Sequence, residues 1–261
     1  MTLSGLSVVI PCFNENESLV TALYTELSAQ GAEVIVVDDG GNMELSFPHI
    51  HHIPNMGYGY AIKRGIENST QDFILTMDGD GQHTFSDAQN LYQAFKLIDN
   101  CDMLIGQRYN IKETFLRRFG RKFLNFIAAI ISTHYLSDLN SGMRIFRKDL
   151  AVSYRSILCD TFSFTTSLTM SMITDNYKVV NFPINVKPRT FGRSNVKIFK
   201  DGFVTLYYIL WIGIALRTRG VRSWIRKNPT TRILLGIGLI ILGIFVFPIM
   251  RFKWIRHFTG R

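Results

Sequence analysis

Short β-branched runs alternate with helical patterns over the first 110 residues, and the clearest runs stop at acidic residues, proline or glycine. Val8–Ile10 meets Pro11, Val34–Val37 meets Asp38-Asp39-Gly40-Gly41, and Phe73–Met77 meets Asp78-Gly79-Asp80-Gly81. His49–Ile53 is a weaker run, Met103–Ile105 is a fifth, and Val179–Pro183 follows later. Their composition predicts strands. Between them, Asn14 to Ser18 supplies capping residues for a helix through about Ala29. Gly57 to Asn68 puts Ala61, Ile62, Gly65 and Ile66 on one helical face, and Phe85–Ile98 is also helical. Strands and helices in this alternation predict an α/β domain with a mostly parallel, doubly wound sheet. Ligands of such sheets sit beyond the carboxyl ends of the strands, where the acidic clusters fall.

The charge changes sign along the chain. Residues 1–186 carry 14 Lys and Arg against 19 Asp and Glu, whereas residues 187–261 carry 15 against the single Asp201, leaving a net charge of +9. The basic part is also apolar. Phe203–Leu216 is a nearly unbroken apolar run with Tyr207, Tyr208 and Trp211, suited to a juxtamembrane helix at the headgroup level. A basic linker, RTRGVRSWIRKNPTTR, leads to Ile233–Met250, 18 consecutive uncharged and mostly apolar residues. A transmembrane helix over about 231–250 is expected there. One span, two spans and a re-entrant hairpin stay open, with the positive-inside rule favouring one. A helix from Phe115 to Ile131 starts basic (Arg117, Arg118, Arg121, Lys122) and turns apolar. Basic residues flanking greasy runs point to an anionic membrane face rather than to nucleic acid. Cys12, Cys101 and Cys159 are odd in number and widely spaced, which argues for free thiols in a reducing compartment. The first residues lack the pattern of a cleaved signal peptide, so the first domain is expected on the cytoplasmic side.

The strongest chemical signal is Asp78-Gly79-Asp80-Gly81-Gln82-His83. Two carboxylates one residue apart at a strand end can converge on a hard divalent cation, Mg²⁺ or Mn²⁺, and share it with substrate phosphates. A solvated acidic turn is the alternative. Pro11-Cys12-Phe13-Asn14-Glu15 and Asp38-Asp39 follow two other strands. Together the three loops would form one acidic crevice. Gly57-Tyr58-Gly59 lacks the third glycine of a dinucleotide fingerprint, and neither a P-loop nor a calcium-loop pattern occurs. A nucleotidyltransferase would need a basic, Gly-rich first loop, and PCFNENES contains no basic residue.

PCFNE, VVDDG, NMGYGYAIKRGI, DGDGQH, GQRY, SDLNSGMRIFRK and RTFGRS, in this order, resemble glycosyltransferase family 2 over about residues 6–197, in the branch of dolichyl-phosphate mannose synthases and polyprenyl-phosphate glycosyltransferases. The resemblance implies a GT-A fold, a Rossmann-like catalytic domain over 1–197 with a membrane-associated helical tail over 198–261, and inversion at the sugar carbon. It implies that Pro11, Phe13 and Glu15 line the nucleotide pocket with Asp38 and Gly57, and that Asp39 contacts the base or ribose. Asp78, Asp80 and Gln82 would hold the metal and the donor diphosphate. Arg108 would lie beside the nucleotide-sugar, and Arg117 and Arg121 would bind an acceptor phosphate. Arg144, Arg189 and Ser194 would close over the phosphates. Guanidinium groups suit that work because they bind phosphate oxygens bidentately and keep their charge. The sequence departs from the family at Gly41, Gly81, Gln107 and Asn195, which bears on the donor sugar and base.

The expected reaction moves a hexose from GDP-mannose or a UDP-sugar to a polyprenyl phosphate at the cytoplasmic membrane face. The alternatives are transfer to a hydroxyl of a glycolipid or envelope polysaccharide, for which Asp138 would be the base, and an inactive nucleotide-sugar-binding scaffold. Homo-oligomerisation stays open.

Overall fold

The computed structural model describes residues 2–109, 114–187 and 198–218. Those up to Leu216 form one compact unit. In chain order the elements are β1 (Leu6–Cys12), α1 (Glu17–Ala29), β2 (Glu33–Asp39), β3 (Ile50–His52), α2 (Tyr58–Asn68), β4 (Phe73–Thr76), α3 (Phe85–Leu97), β5 (Met103–Arg108), α4 (Phe115–Ser132), β6 (Arg144–Arg147), α5 (Lys148–Tyr154), α6 (Phe164–Thr174), β7 (Val179–Ile184) and α7 (Ile198–Arg217). The strands make one seven-stranded sheet in the order β3-β2-β1-β4-β6-β5-β7. All pairings are parallel except those of β6, which runs antiparallel to both β4 and β5.

Strand alternation divides the core into two layers. Leu6, Val8, Ile10 and Cys12 of β1 pack with Val20, Leu23 and Leu27 of α1 and Leu91 of α3. The intervening Val9 packs with Ile62 and Ile66 of α2 on the other face. This is the two-residue period of a strand read against two helical layers. Pro11 is tolerated within β1 because β4 pairs only as far as Val9, so the missing N–H falls where one neighbour has ended.

The helices expected at 57–68, 85–98 and 115–131 are present within a residue or two of those bounds. Three elements were not foreseen. Strand β6 is four residues long and follows directly on a loop. Helix α5 spans only seven residues. Helix α6 is buried on every side from Phe164 to Ile173, so it shows no polar stripe. Three of its hydroxyls bond back along the helix, as Ser167 donates to Phe164 O, Thr169 to Thr165 O and Ser171 to Ser167 O, each at 2.8 Å.

Helix α7 packs into the compact unit through Ile209, Ile212 and Leu216, and Gly213 lies against Ile131 of α4. The unit therefore runs past residue 197 to Leu216. The opposite face of α7 exposes Phe203, Tyr207, Leu210, Trp211 and Ile214. Helix α4 likewise exposes Phe115, Leu116, Phe119, Phe123, Phe126 and Ile130. Among the described residues no helix is long and apolar enough to cross a membrane. The span expected at 231–250 and the basic linker before it lie outside the described residues.

Helix α2 approaches β1 through Gly65, where a Cβ would fall 2.3 Å from Val9 Cγ1. Gly65→Ala should therefore overpack this layer and cost about 1–3 kcal/mol. A lowered denaturant midpoint of the detergent-solubilised chain is the expected result, and an unchanged midpoint would contradict this packing.

Candidate functional site

The carboxyl ends of β1, β2 and β4 bring three loops to one place. Its centre is the buried Cys12 thiol. Burial pushes that thiol's pKa up, and the charges of Glu15, Asp38, Asp78 and Asp80 push it further. The charges of four acidic side chains singled out in the sequence thus act on one thiol. Asp80 is 1% exposed and its Oδ1 accepts the Gln82 amide at 3.0 Å. Asp78 is partly exposed and accepts the Tyr58 hydroxyl at 3.0 Å. Gly79 allows the tight turn between them, since a Cβ there would meet Cys12 Sγ at 3.0 Å. Gln82 donates to Lys187 O at 3.3 Å while its own carbonyl accepts Lys187 N at 3.1 Å, tying this loop to the segment after β7.

The donor set suits a hard cation. Among the described residues no three His, Cys, Asp or Glu side chains form a ready cage. Two carboxylates are what a Mg²⁺- or Mn²⁺-type site offers when phosphates and water supply the rest. Room for the Asp78 carboxylate exists because residue 142 is glycine, where a Cβ would stand 2.6 Å from Asp78 Oδ2. Beside them lies His83, buried, with Nδ1 lacking a hydrogen-bond partner among the described residues. Burial lowers the His83 pKa against the opposing pull of Asp78 and Asp80, so its imidazole is neutral at pH 7.

Asp38 and Asp39 do structural work. Asp38 accepts Gly41 N at 3.0 Å and lies 2.9 Å from His51 Nδ1. The Asp39 carboxylate accepts the amides of Met56 and Gly57, each at 2.8 Å, and is 3% exposed. Both oxygens hold the loop that leads into α2, and each keeps a lone pair for the expected contact with base or ribose. Gly57 has φ +111°, and a Cβ there would fall 2.5 Å from Asp160 O, so its place at the start of α2 is required by close backbone approach. Pro11 is buried and Phe13 exposed at the mouth of the crevice.

Arg144 also departs from expectation. It is fully buried, and its five N–H groups donate to Ser141 O (twice), Leu139 O, Thr165 O and Thr169 Oγ1. A guanidinium has five donors, so none remains to close over a phosphate. Burial lowers its pKa to about 10, which still leaves it charged at neutral pH. Its role is to lock the 139–141 loop onto α6. Arg108 forms a forked pair with buried Asp138, with Nε at 2.8 Å and Nη2 at 2.9 Å from its oxygens. Burial pushes the Asp138 carboxyl up, but Arg108 outweighs it and holds the pKa below the usual carboxylate range. Arg121 of α4 adds to that field. Arg117 lies one helical turn away, exposed, next to Arg118. Arg189 and Ser194 lie outside the described residues.

Sequence reasoning did not single out Tyr58 or His83, although both sit inside quoted motifs. Neither spacing nor composition reveals that the Tyr58 hydroxyl reaches Asp78 across the crevice. Burial first, then the Asp78 charge, raises the Tyr58 pKa, so this hydroxyl keeps its proton and donates.

Comparison with known proteins fits this geometry. The family model described as glycosyl transferase family 2 matches residues 7–155. An uncharacterized protein of Methanocaldococcus jannaschii is 31% identical over 220 residues, covering 78% of this chain and 90% of that protein. Glycosyltransferase AglJ of Haloferax volcanii is 26% identical, with 79% and 72% covered. An undecaprenyl-phosphate 4-deoxy-4-formamido-L-arabinose transferase of Enterobacter sp. is 25% identical, with 78% and 66% covered. In fold, the chain is similar to glucosyl-3-phosphoglycerate synthase from Mycobacterium tuberculosis, solved with Mn²⁺, UDP-glucose and phosphoglyceric acid, at a TM-score of 0.64 and 14% identity, with 80% and 79% covered. The GT-A architecture is shared, and a family match across more than half the residues makes this chain a glycosyltransferase of family 2.

Proposed function

We propose that this chain moves a hexose from a nucleotide-diphosphate sugar, GDP-mannose or a UDP-sugar, to a polyprenyl phosphate at the cytoplasmic face of a membrane. The observation that carries the reading is the surface beside the crevice. Helix α4 combines the basic cluster Arg117, Arg118, Arg121 and Lys122 with an exposed apolar face, and α7 exposes a second one. Such a face suits the bilayer interface, and its arginines suit a lipid phosphate. The relatives named as undecaprenyl-phosphate transferases act on a lipid phosphate by their names, and the structural relative holds Mn²⁺ with a nucleotide-sugar.

The crevice chemistry favours a phosphate acceptor over a hydroxyl. Asp138 is gripped by Arg108 and has a depressed pKa, so it is a poor proton acceptor. An acceptor phosphate is already anionic and requires no base. In the in-line displacement, a phosphate oxygen bonds to the anomeric carbon as the bond to the nucleoside diphosphate breaks. Asp78 and Asp80, with Gln82 beside them, would hold a divalent ion that neutralises the departing diphosphate. Arg117 and Arg121 orient the acceptor, and the cysteine-centred loops exclude water from the donor. Arg189 and Ser194 belong to the same reading as phosphate ligands.

Membranes containing the chain, given labelled nucleotide-sugars and polyprenyl phosphate, should yield a lipid-extractable label released by mild acid. Asp80→Ala should abolish that product with the fold intact. An acid-stable product would favour a hydroxyl acceptor, and turnover in excess chelator would remove the metal. Phe119→Glu combined with Phe123→Glu should raise KM for a long-chain polyprenyl phosphate about 10-fold or more, leaving the donor KM within about twofold. Asp138→Asn should destabilise the chain by about 1–3 kcal/mol, because a hydrogen-bonded charge loses its partner. The folded pKa of Asp138 lies below the ordinary 3.8. The stability gap to Asp138→Asn should therefore persist from neutral pH down to that value and close as pH falls through the folded pKa. A gap that opens on acidification would contradict the pairing.

A further inference from the structure

Tyr58 is a polar side chain at the crevice that the proposed reaction leaves without a task. It stands in the first turn of α2, and its hydroxyl donates to Asp78 Oδ1 at 3.0 Å. Its ring lies against Phe162, with centroids 5.5 Å apart and planes inclined by 24°. The backbone beneath it is held closely. Tyr60 N donates to Asp160 O at 3.0 Å, and a Cβ on Gly59 would fall 2.3 Å from Cys159 O. The first turn of α2 is thus pressed onto the 159–162 loop with no space for a side chain between them. Beside this pair, a Cβ on Gly142 would stand 2.6 Å and 2.9 Å from the two Asp78 oxygens and 2.9 Å from the Tyr58 hydroxyl. The Asp78 carboxylate and the Tyr58 hydroxyl therefore meet in one small space that is open only because residue 142 carries no side chain.

We propose that Tyr58 is a positioning residue for Asp78, fixing the rotation of the carboxylate so that it is already set when a divalent cation arrives with the donor diphosphate. The inference rests on the reading of Asp78 as a metal ligand. A carboxylate that ligates through one oxygen while the other is hydrogen-bonded loses less freedom on binding, and such supporting partners typically carry about 10–100-fold of metal affinity. Phe162 and the glycines at 57 and 59 serve this arrangement by seating the tyrosine. The sequence hints at none of this, because Tyr58 precedes Asp78 by twenty residues and lies on a different element.

The test is a Mn²⁺ titration of the full detergent-solubilised chain, followed by loss of the free-ion paramagnetic resonance signal, with UDP and GDP each present in turn. Tyr58→Phe keeps the ring against Phe162 and removes only the hydroxyl. It should weaken Mn²⁺ binding on the order of 10-fold, leave the melting temperature near that of the unaltered chain, and regain kcat at saturating Mn²⁺. Gly142→Ala, which wedges a methyl group between the Asp78 carboxylate and the Tyr58 hydroxyl, should weaken binding comparably. Unaltered Mn²⁺ affinity in either variant, alongside lost affinity in Asp78→Asn, would overturn the role of Tyr58 alone. A chain that binds no Mn²⁺ with either nucleotide would overturn this inference and the proposed metal site together.

Discussion

Four carboxylates gathered around a buried thiol set the terms for the rest of this structure. Glu15, Asp38, Asp78 and Asp80 come from three loops, and their mutual repulsion in a partly desolvated crevice must be offset. The protein offsets part of it locally. Asp38 receives a backbone amide and a histidine, Asp80 a backbone amide, and Asp78 a tyrosine hydroxyl. Hydrogen bonds of this kind offset part of the cost of withdrawing a carboxylate from water. A negative site so maintained is suited to a divalent ion accompanied by a diphosphate.

The charged residues nearby divide into those that hold the frame and those that face the crevice. Arg144 is entirely committed to the frame, since its five donors bind carbonyls and a hydroxyl of the 139–141 loop and α6. Asp39 holds the frame too, through two amides at the entrance to α2. Arg108 stands between the two groups, because it is part-exposed and yet forked onto Asp138. That pair weakens Asp138 as the base expected for a hydroxyl acceptor, which supports the proposed phosphate acceptor. The exposed apolar faces of α4 and α7 then suit an acceptor that reaches the site from a lipid layer.

Much of the architecture was legible in the sequence because local rules and tertiary packing agree there. β-branched runs became strands, and α2 buried the face that its periodicity selected. Helix α6 escaped because a helix buried on all sides carries no polar stripe, and serines and threonines are buried in it because their hydroxyls can bond back along the helix. The acidic residues of the site were legible as a set, since each ends a strand. Their individual tasks were not. Arg144 looks like a ligand contact in a motif, and only its hydrogen-bond partners reveal it as a brace. Tyr58 was invisible for the converse reason, as its contact is made across the crevice and not along the chain.

The central claim is that Asp78 and Asp80 share one divalent ion with a donor diphosphate. It is tested most directly by a structure of the chain with Mn²⁺ and a nucleoside diphosphate, using anomalous scattering at the manganese edge. The account predicts a single strong peak within ligand distance, roughly 2.0–2.3 Å, of carboxylate oxygens of both residues. A peak elsewhere in the crevice, or a diphosphate bound with neither carboxylate near a metal, would contradict it.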